Sequence, residues 1–268
     1  GIFDEIVNDS SVQLNLTTIP DNPDRKFVNY SWFNFFEDYI VPSVSANISF
    51  NTVVGNVNYE GNEVVVTTQT GQVTADRVIV AVPLKILQDG DISFSPTLPQ
   101  AKRNAIADMR IWDGFKAFFE FTDNFYDDMQ FTVTPQTDGE KWVYDAAYGQ
   151  NSTKNILGLF AVGTPAVDYT SRSGNDLRDF ILAELDALYG GQASQKYVKH
   201  IVQNWNNEPF IKGGYMTDYA DYSKVAKLGK SVDDKVYFAG GAYTDGEDWV
   251  SVHAAARSAK DAIDKMVD

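Results

Sequence analysis

The chain contains no cysteine. That excludes disulfides, thiolate metal sites and cysteine nucleophiles. Histidine is almost as scarce. His200 and His253 are the only two, so a histidine-rich metal site cannot form, and serine–histidine catalysis would have to use one of this pair. No apolar run approaches the roughly 18 residues of a membrane-spanning helix, and the opening Gly1-Ile2-Phe3-Asp4-Glu5 has neither the basic nor the apolar stretch of a secretory signal. Positive charge is in deficit as well: 22 Lys and Arg stand against 37 Asp and Glu, a net charge of −15. Such a surface repels phosphate backbones and anionic lipid, so neither nucleic acid nor a membrane is an expected partner, and cations are favoured.

What is present is ample material for a core. Hydrophobic residues make up 44% of the 268 residues and aromatics 13%, enough for one large domain or two modest ones. Residues 1–30 read as polar loops with one short strand at Val12 to Leu16. Phe33, Phe36, Tyr39 and Ile40 recur at helical spacing from Trp32 to Val44, with Pro42 expected to end or bend that helix. Branched residues bounded by glycine turns predict a β-meander from Ile48 to Val82, whose last run, Val78 to Val82, is apolar throughout, as in a strand buried on both faces. A helix from Leu98 to Met109 follows Pro99. Gly114 to Thr122 alternates as a strand, with Phe115, Ala117, Phe119 and Phe121 on one face and Lys116, Phe118 and Glu120 on the other. Strands are expected again at Lys141 to Ala147, Ile156 to Val162, Tyr197 to Trp205 and Val236 to Gly240. Helices are expected at Leu177 to Tyr189, with Asn175 as cap, Leu188 turned inward and Gly190-Gly191 closing it, and from about Val250 to Met266. The mixed order suits an α/β or α+β protein whose sheets draw on separated pieces of chain.

Three segments, taken in order, resemble the flavin-containing amine oxidases. The first holds Ala75-Asp76-Arg77-Val78-Ile79-Val80-Ala81-Val82-Pro83 and then Ile92-Ser93-Phe94-Ser95-Pro96-Thr97-Leu98-Pro99. The second is Gly114-Phe115-Lys116. The third runs from Trp205-Asn206-Asn207-Glu208-Pro209 and Gly213-Gly214-Tyr215 to Val236-Tyr237-Phe238-Ala239-Gly240 and Val252-His253-Ala254-Ala255. Each motif is weak alone; their order over roughly residues 28–268 is fairly specific.

The resemblance implies a mixed fold: an incomplete FAD-binding domain plus a substrate-binding domain with a mixed β-sheet and flanking helices. It places residues 1–90 and 205–268 on the FAD side and 91–204 in the substrate domain. It implies FAD as a non-covalent cofactor, a cysteine tether being excluded, and a small-molecule amine as substrate. Val54 is expected near the adenine end of FAD, and Trp205, Gly240, Gly241, Ser251 and Val252 along the flavin. Lys116 is expected beside flavin N5, holding a water, with Tyr215 as one wall of the aromatic cage and Phe118 on the substrate side. Ser251 would begin a helix whose amino end stabilises charge on the reduced flavin. The flavin does the redox work, and the protein supplies position and electrostatics.

Several positions depart from the pattern. No two glycines stand two residues apart, so the G-x-G-x-x-G unit that seats a dinucleotide diphosphate does not occur. This leads to the expectation that the chain is the carboxyl-terminal portion of a longer protein, partnered by an amino-terminal FAD-binding segment. Gly241 stands where the family commonly has glutamate, and Ala254 where it has glycine. Ser251 replaces a cage aromatic, with Tyr243 or Trp249 as candidate substitutes. Each site residue also has a structural alternative: Lys116 an exposed strand lysine, Tyr215 and Trp205 core packing, the glycines turns, His253 a cap, and Asp245, Glu247 and Asp248 a solvated loop without calcium-site spacing. At the level of function the alternatives are a non-catalytic binding domain that has lost FAD and a flavin-dependent desaturase, whose relatives usually lack Lys116.

Overall fold

The structure, a computed structural model, describes residues 13–14, 31–126, 129–132, 138–216, 222–244 and 251–267. The expected acidic loop at Asp245, Glu247 and Asp248, with Trp249, lies outside them. The strands are β1 (Gln13–Leu14), β2 (Val54–Asn58), β3 (Val64–Thr68), β4 (Gly71–Ala75), β5 (Val78–Val80), β6 (Ser93–Ser95), β7 (Gly114–Phe121), β8 (Met129–Thr132), β9 (Gly139–Asp145), β10 (Asn155–Gly163), β11 (Tyr197–Asn204) and β12 (Val236–Phe238). The helices that matter below are α1 (Leu84–Gln88), α2 (Gln100–Asp108), α3 (Thr164–Thr170), α4 (Gly174–Tyr189), α5 (Gln192–Lys196), α6 (Tyr222–Gly229) and α7 (Val252–Val267).

The chain forms two compact units. The first joins residues up to Ile48 to Asp113–Asn206; the second joins Ser49–Trp112 to Asn207–Asp268. This division differs from the boundaries expected at residues 90 and 204. Membership follows sheet pairing rather than motif order. Thus Gln13–Leu14 pairs with β8 and falls with the first unit, while β6 pairs with β2 and falls with the second.

In the first unit a six-stranded antiparallel sheet runs β1-β8-β9-β10-β7-β11. The expected alternation along β7 holds: Phe115, Ala117, Phe119 and Phe121 are buried, and Lys116, Phe118 and Glu120 face the other way, half-buried. The buried row packs on α4 through Leu177, Ile181, Leu182 and Leu185. Burying each of these large side chains contributes about 2 kcal/mol. Leu188, expected inward, is instead exposed at the edge of the apolar stripe, and Tyr189 is buried in its place. Asn175 does not cap α4. The cap position is Ser173, and Asn175 accepts from Arg178 inside the first turns. Gly190 ends the helix in the left-handed region at φ 65°. Tyr169 of α3 stacks on Phe115 and donates to Glu184 at 2.5 Å, and Lys141 donates to the same carboxylate at 2.9 Å.

Gly139 and Gly163 face each other at one end of the β9–β10 ladder. Gly139 has φ 130°, and a Cβ there would overlap the Val162 carbonyl oxygen. We expect Gly139→Ala to destabilise this unit by about 3 kcal/mol, from combined strain and overlap. A urea midpoint equal to wild type would contradict that expectation.

The aromatic stretch before the meander is helical, as expected, but broken: Trp32–Phe35, a π turn over Phe36–Ile40, then Val41–Val44 and Ser45–Asn47. Pro42 sits in the first turn of the third piece, where its missing N–H costs nothing, and the π turn absorbs the break. No residue of the stretch is buried.

In the second unit the meander β4-β3-β2 is antiparallel, with β6 added parallel to β2. It begins at Val54; Ile48 to Val53, expected as strand, is turn and irregular chain. Nor does the last apolar run belong to the meander. Val78–Val80 pairs in parallel with Val236–Phe238. Of that strand only Val80 is buried, and Val78 and Ile79 are half-buried. Tyr237 and Ala239 pack on Ala262 of α7, while Val236 and Phe238 join the main core with Val225 and Leu228 of α6. Lys102 of α2, 4% exposed, sits inside that core. Its Nζ donates to the Leu228 carbonyl at 2.7 Å and lies 3.7 Å from the centre of the Phe238 ring.

Candidate functional site

Two places carry the residues singled out by sequence. The first is the face of the six-stranded sheet opposite the α4 core. Register fixes who shares it. Lys116 of β7 stands level with Phe160 of β10 and Gln203 of β11, and Phe160 in turn with Trp142 of β9. Phe118 is level with Gly158 and Ile201, and Gly158 with Tyr144. The Tyr144 ring lies over Gly158 so closely that a Cβ there would overlap it. The face therefore presents a lysine among four aromatic rings: Phe118, Phe160, Trp142 and Tyr144.

Lys116 is half-buried, and its Nζ is 5.4 Å from the centre of the Phe160 ring. Desolvation by burial holds its pKa below the ordinary lysine value. Phe118, the neighbour expected from strand alternation, does share this face, but the ring under the amine belongs to Phe160. That residue escaped the sequence reading because its proximity depends on the β7–β10 register. The pattern that would have found the face lies in β9, where Glu140, Trp142 and Tyr144 alternate with Lys141, Val143 and Asp145. Trp205 follows β11 in a short 3-10 turn and is half-buried; Asn206 beside it accepts from the Gly114 N–H.

The second place is the strand–turn–helix of the second unit. The parallel strands β5 and β12 end at Val80 and Phe238, and the turn that follows β12 is fastened from both sides. The Tyr243 hydroxyl donates to the Val82 carbonyl at 2.6 Å, and Ser258 of α7 accepts from the Gly240 N–H at 2.8 Å. Gly240 has φ 132°, a value only glycine adopts without strain, and the Tyr243 ring packs against it. Gly241 follows it, half-buried. Ser251 caps α7, its hydroxyl accepting from the Ala254 N–H at 3.3 Å. Val252 is exposed at the first helical position, and His253 meets the Ser251 hydroxyl at 3.3 Å.

Tyr243 cannot stand in for the cage aromatic that Ser251 replaces. It is 4% exposed, its ring packs against Phe238, and its hydroxyl is engaged. Tyr215 is 41% exposed, and its carbonyl accepts from the Trp112 N–H at 2.8 Å. Val54 opens β2 and packs at the margin of the core that contains Phe238 and Tyr243. Thus Gly240, Gly241, Ser251 and Val252 gather around one turn, Val54 and Tyr215 belong to the same unit, and Lys116, Phe118 and Trp205 belong to the other.

Among the described residues, no group of three or more His, Cys, Asp or Glu could hold a metal ion, and no helix is long and apolar enough to cross a membrane.

Residues 36–266 match the sequence model of the family described as flavin containing amine oxidoreductase. The chain is 28% identical over 228 residues to polyamine oxidase 4 of Oryza sativa subsp. japonica, covering 82% of this chain and 45% of that protein. It is 26% identical over 202 residues to lysine-specific histone demethylase 1B of Mus musculus, covering 72% of this chain and 24% of that protein. Its fold resembles putrescine oxidase solved with putrescine bound, with a TM-score of 0.67 at 19% identity over 85% of this chain and 51% of that one. The chain spans about half or less of the length of these relatives.

Proposed function

The chain belongs to the flavin-containing amine oxidoreductase family, and on that premise we propose that it is the carboxyl-terminal portion of an FAD-dependent oxidase. Its substrate is a primary or secondary amine of polyamine type, its product the imine, and its acceptor molecular oxygen. The observation that carries this reading is Lys116: a partly desolvated amine on an aromatic sheet face, at the position where the family motif has its lysine.

The residues of the second unit suit one edge of FAD. Gly240 and Gly241 present backbone without side chains just after β12. Ala254, the methyl that replaces the family's glycine, is 1% exposed. Gly240, Gly241, Ser251 and Val252 would line the flavin, with Val54 toward the adenine. The diphosphate has no glycine loop in this chain, so an amino-terminal segment outside it would complete the site.

FAD, where bound, would supply the acceptor for the hydride equivalent that leaves the amine α-carbon. The chain's own residues prepare that transfer. Phe118 and Phe160 orient the substrate and exclude water from it. Lys116 holds a water at Nζ; burial lowers its pKa and so favours the neutral amine, the form that can accept a proton.

The test is the visible absorbance of the chain incubated with FAD, alone and with the complementary amino-terminal segment of a relative. A bound flavin spectrum that bleaches anaerobically on adding spermidine is the expected result. A spectrum that never departs from free FAD in either mixture would leave the non-catalytic reading standing.

A further inference from the structure

Five of the chain's 18 asparagines are followed two residues later by Ser or Thr, with no Pro between: Asn8-Asp9-Ser10, Asn15-Leu16-Thr17, Asn29-Tyr30-Ser31, Asn47-Ile48-Ser49 and Asn151-Ser152-Thr153. The Ser and Thr content of the chain would give about two by chance. All five fall in the first unit, and no asparagine of the second unit stands in this pattern. A transferase can use such an asparagine only on an accessible surface loop, with the side-chain amide and the hydroxyl two residues on both uncommitted.

Two of the five lie among the described residues, and both meet that requirement. Asn151 stands in the loop between β9 and β10, where residues 148–154 are all exposed. The loop is held by local bonds. The Gln150 N–H donates to the Ala147 carbonyl at 3.0 Å, and the Ser152 N–H to the Gln150 carbonyl at 2.9 Å. The Ser152 hydroxyl accepts from the Lys154 N–H at 3.1 Å. Ser152 thus shapes the turn, while no described residue engages the Asn151 amide or the Thr153 hydroxyl. Asn47 ends the 3-10 turn Ser45–Asn47, and it is exposed together with Ile48 and Ser49.

We propose that Asn151 and Asn47 are N-glycosylation sites, which take an oligosaccharide from a lipid-pyrophosphate donor. In the transfer the side-chain Nδ2 attacks the anomeric carbon of the donor sugar. A C–N bond forms, the C–O bond to the pyrophosphate breaks, and one amide proton passes to a base of the transferase. Nothing is oxidised or reduced. This modification belongs to the secretory pathway, so the entry signal that Gly1 to Glu5 lack would precede them. A chain without cysteine meets the oxidising conditions of that pathway with no thiol to lose.

Neither site depends on bound flavin, and the glycan at Asn151 stands clear of the aromatic sheet face. Asn155, where β10 begins, pairs with Phe121, and Phe160 pairs with Lys116. The five residues between those rungs span about 17 Å. Unglycosylated and glycosylated forms therefore present the same Lys116 face.

Peptide mapping of the protein isolated from its own source is the test. Peptide N-glycosidase in heavy-oxygen water converts each glycosylated asparagine to a labelled aspartate. We expect the label at Asn151 and Asn47, with a matching loss of mass from the whole chain. In a secretory expression host, Asn151→Gln and Thr153→Ala each remove one glycan. Thr153→Ser keeps it, and Asn62→Gln, an exposed asparagine outside the pattern, changes nothing. An Asn151 or Asn47 found only unmodified in the native protein would overturn that site. A glycan count unchanged by Asn151→Gln would overturn the assignment to Asn151 in the same way.

Discussion

Lys116→Met, in an FAD-loaded enzyme that contains this chain, slows amine turnover about a hundredfold, the usual scale for losing a positioned proton-transfer group. Methionine keeps the length and apolar stem of lysine, so packing against Phe160 survives and the loss isolates the amine. The pH profile gives an independent readout. Burial favours the neutral form of Lys116 in the folded protein. Activity that depends on the neutral amine therefore rises with pH through a range below that of an ordinary lysine. In Lys116→Met that limb disappears, and the residual rate is flat across it. Equal turnover in the variant and wild type would remove Lys116 from the chemistry and return it to the status of a half-buried strand lysine.

The second large effect concerns stability. The pKa of Lys102 is lowered from 10.5 to about 7, chiefly by burial and secondarily by Lys230. Its folded-state pKa is thus depressed below the unfolded one. Between the two values the unfolded chain binds the extra proton, so stability rises with pH, by up to about 1.4 kcal/mol per pH unit. From pH 7 to about pH 9 the unfolding free energy should increase by about 2 kcal/mol. Few other groups interfere in that window: the chain has two histidines and no cysteine. Lys116 adds a smaller contribution of the same sign at the upper end. The buried tyrosines, Tyr169 and Tyr243 among them, have raised pKa values and so act with the opposite sign only at higher pH. Urea titrations at several pH values would show the slope, and in Lys102→Met most of it should vanish. A wild-type curve that is flat across this window would mean that the Leu228 carbonyl and the Phe238 ring hold the charged form as well as water does.

Much of the fold could be read from residue patterns, and the exceptions share a cause. The β7 alternation, the helix after Pro99 and the stop at Gly190 are local events, decided by side-chain direction, ring constraint and backbone freedom. They appear where they were expected. The fate of Val78 to Val80 is not local: an apolar run is equally at home in a meander or a parallel pair, and only Val236–Phe238 decides between them. Asn175 failed as a cap because Ser173, two residues earlier, already has the extended backbone that the position demands.

For the site, Lys116 was accessible from strand alternation together with its motif. Phe160, Trp142 and Tyr144 were not, because their common face depends on the β7–β10 and β10–β9 registers at once. The packing of Tyr243, offered as a candidate cage aromatic, was not legible either. Nothing adjacent in sequence indicates that Val82 accepts its hydroxyl proton or that Gly240 receives its ring.

The interleaving of the two units bears on how the polypeptide is made. Arg77, beside β5, hydrogen bonds to the Asp234 carbonyl, 157 residues further on, and β5 finds its partner strand in the same late segment. At a synthesis rate of roughly 5–20 residues per second, that segment reaches it on the order of 10 to 30 seconds after Arg77 is made. Throughout that interval the Val78–Val80 edge stands open on the nascent chain. Chaperone capture during translation is therefore expected to centre on the stretch between the meander and α1, and to end only once β12 has left the ribosome.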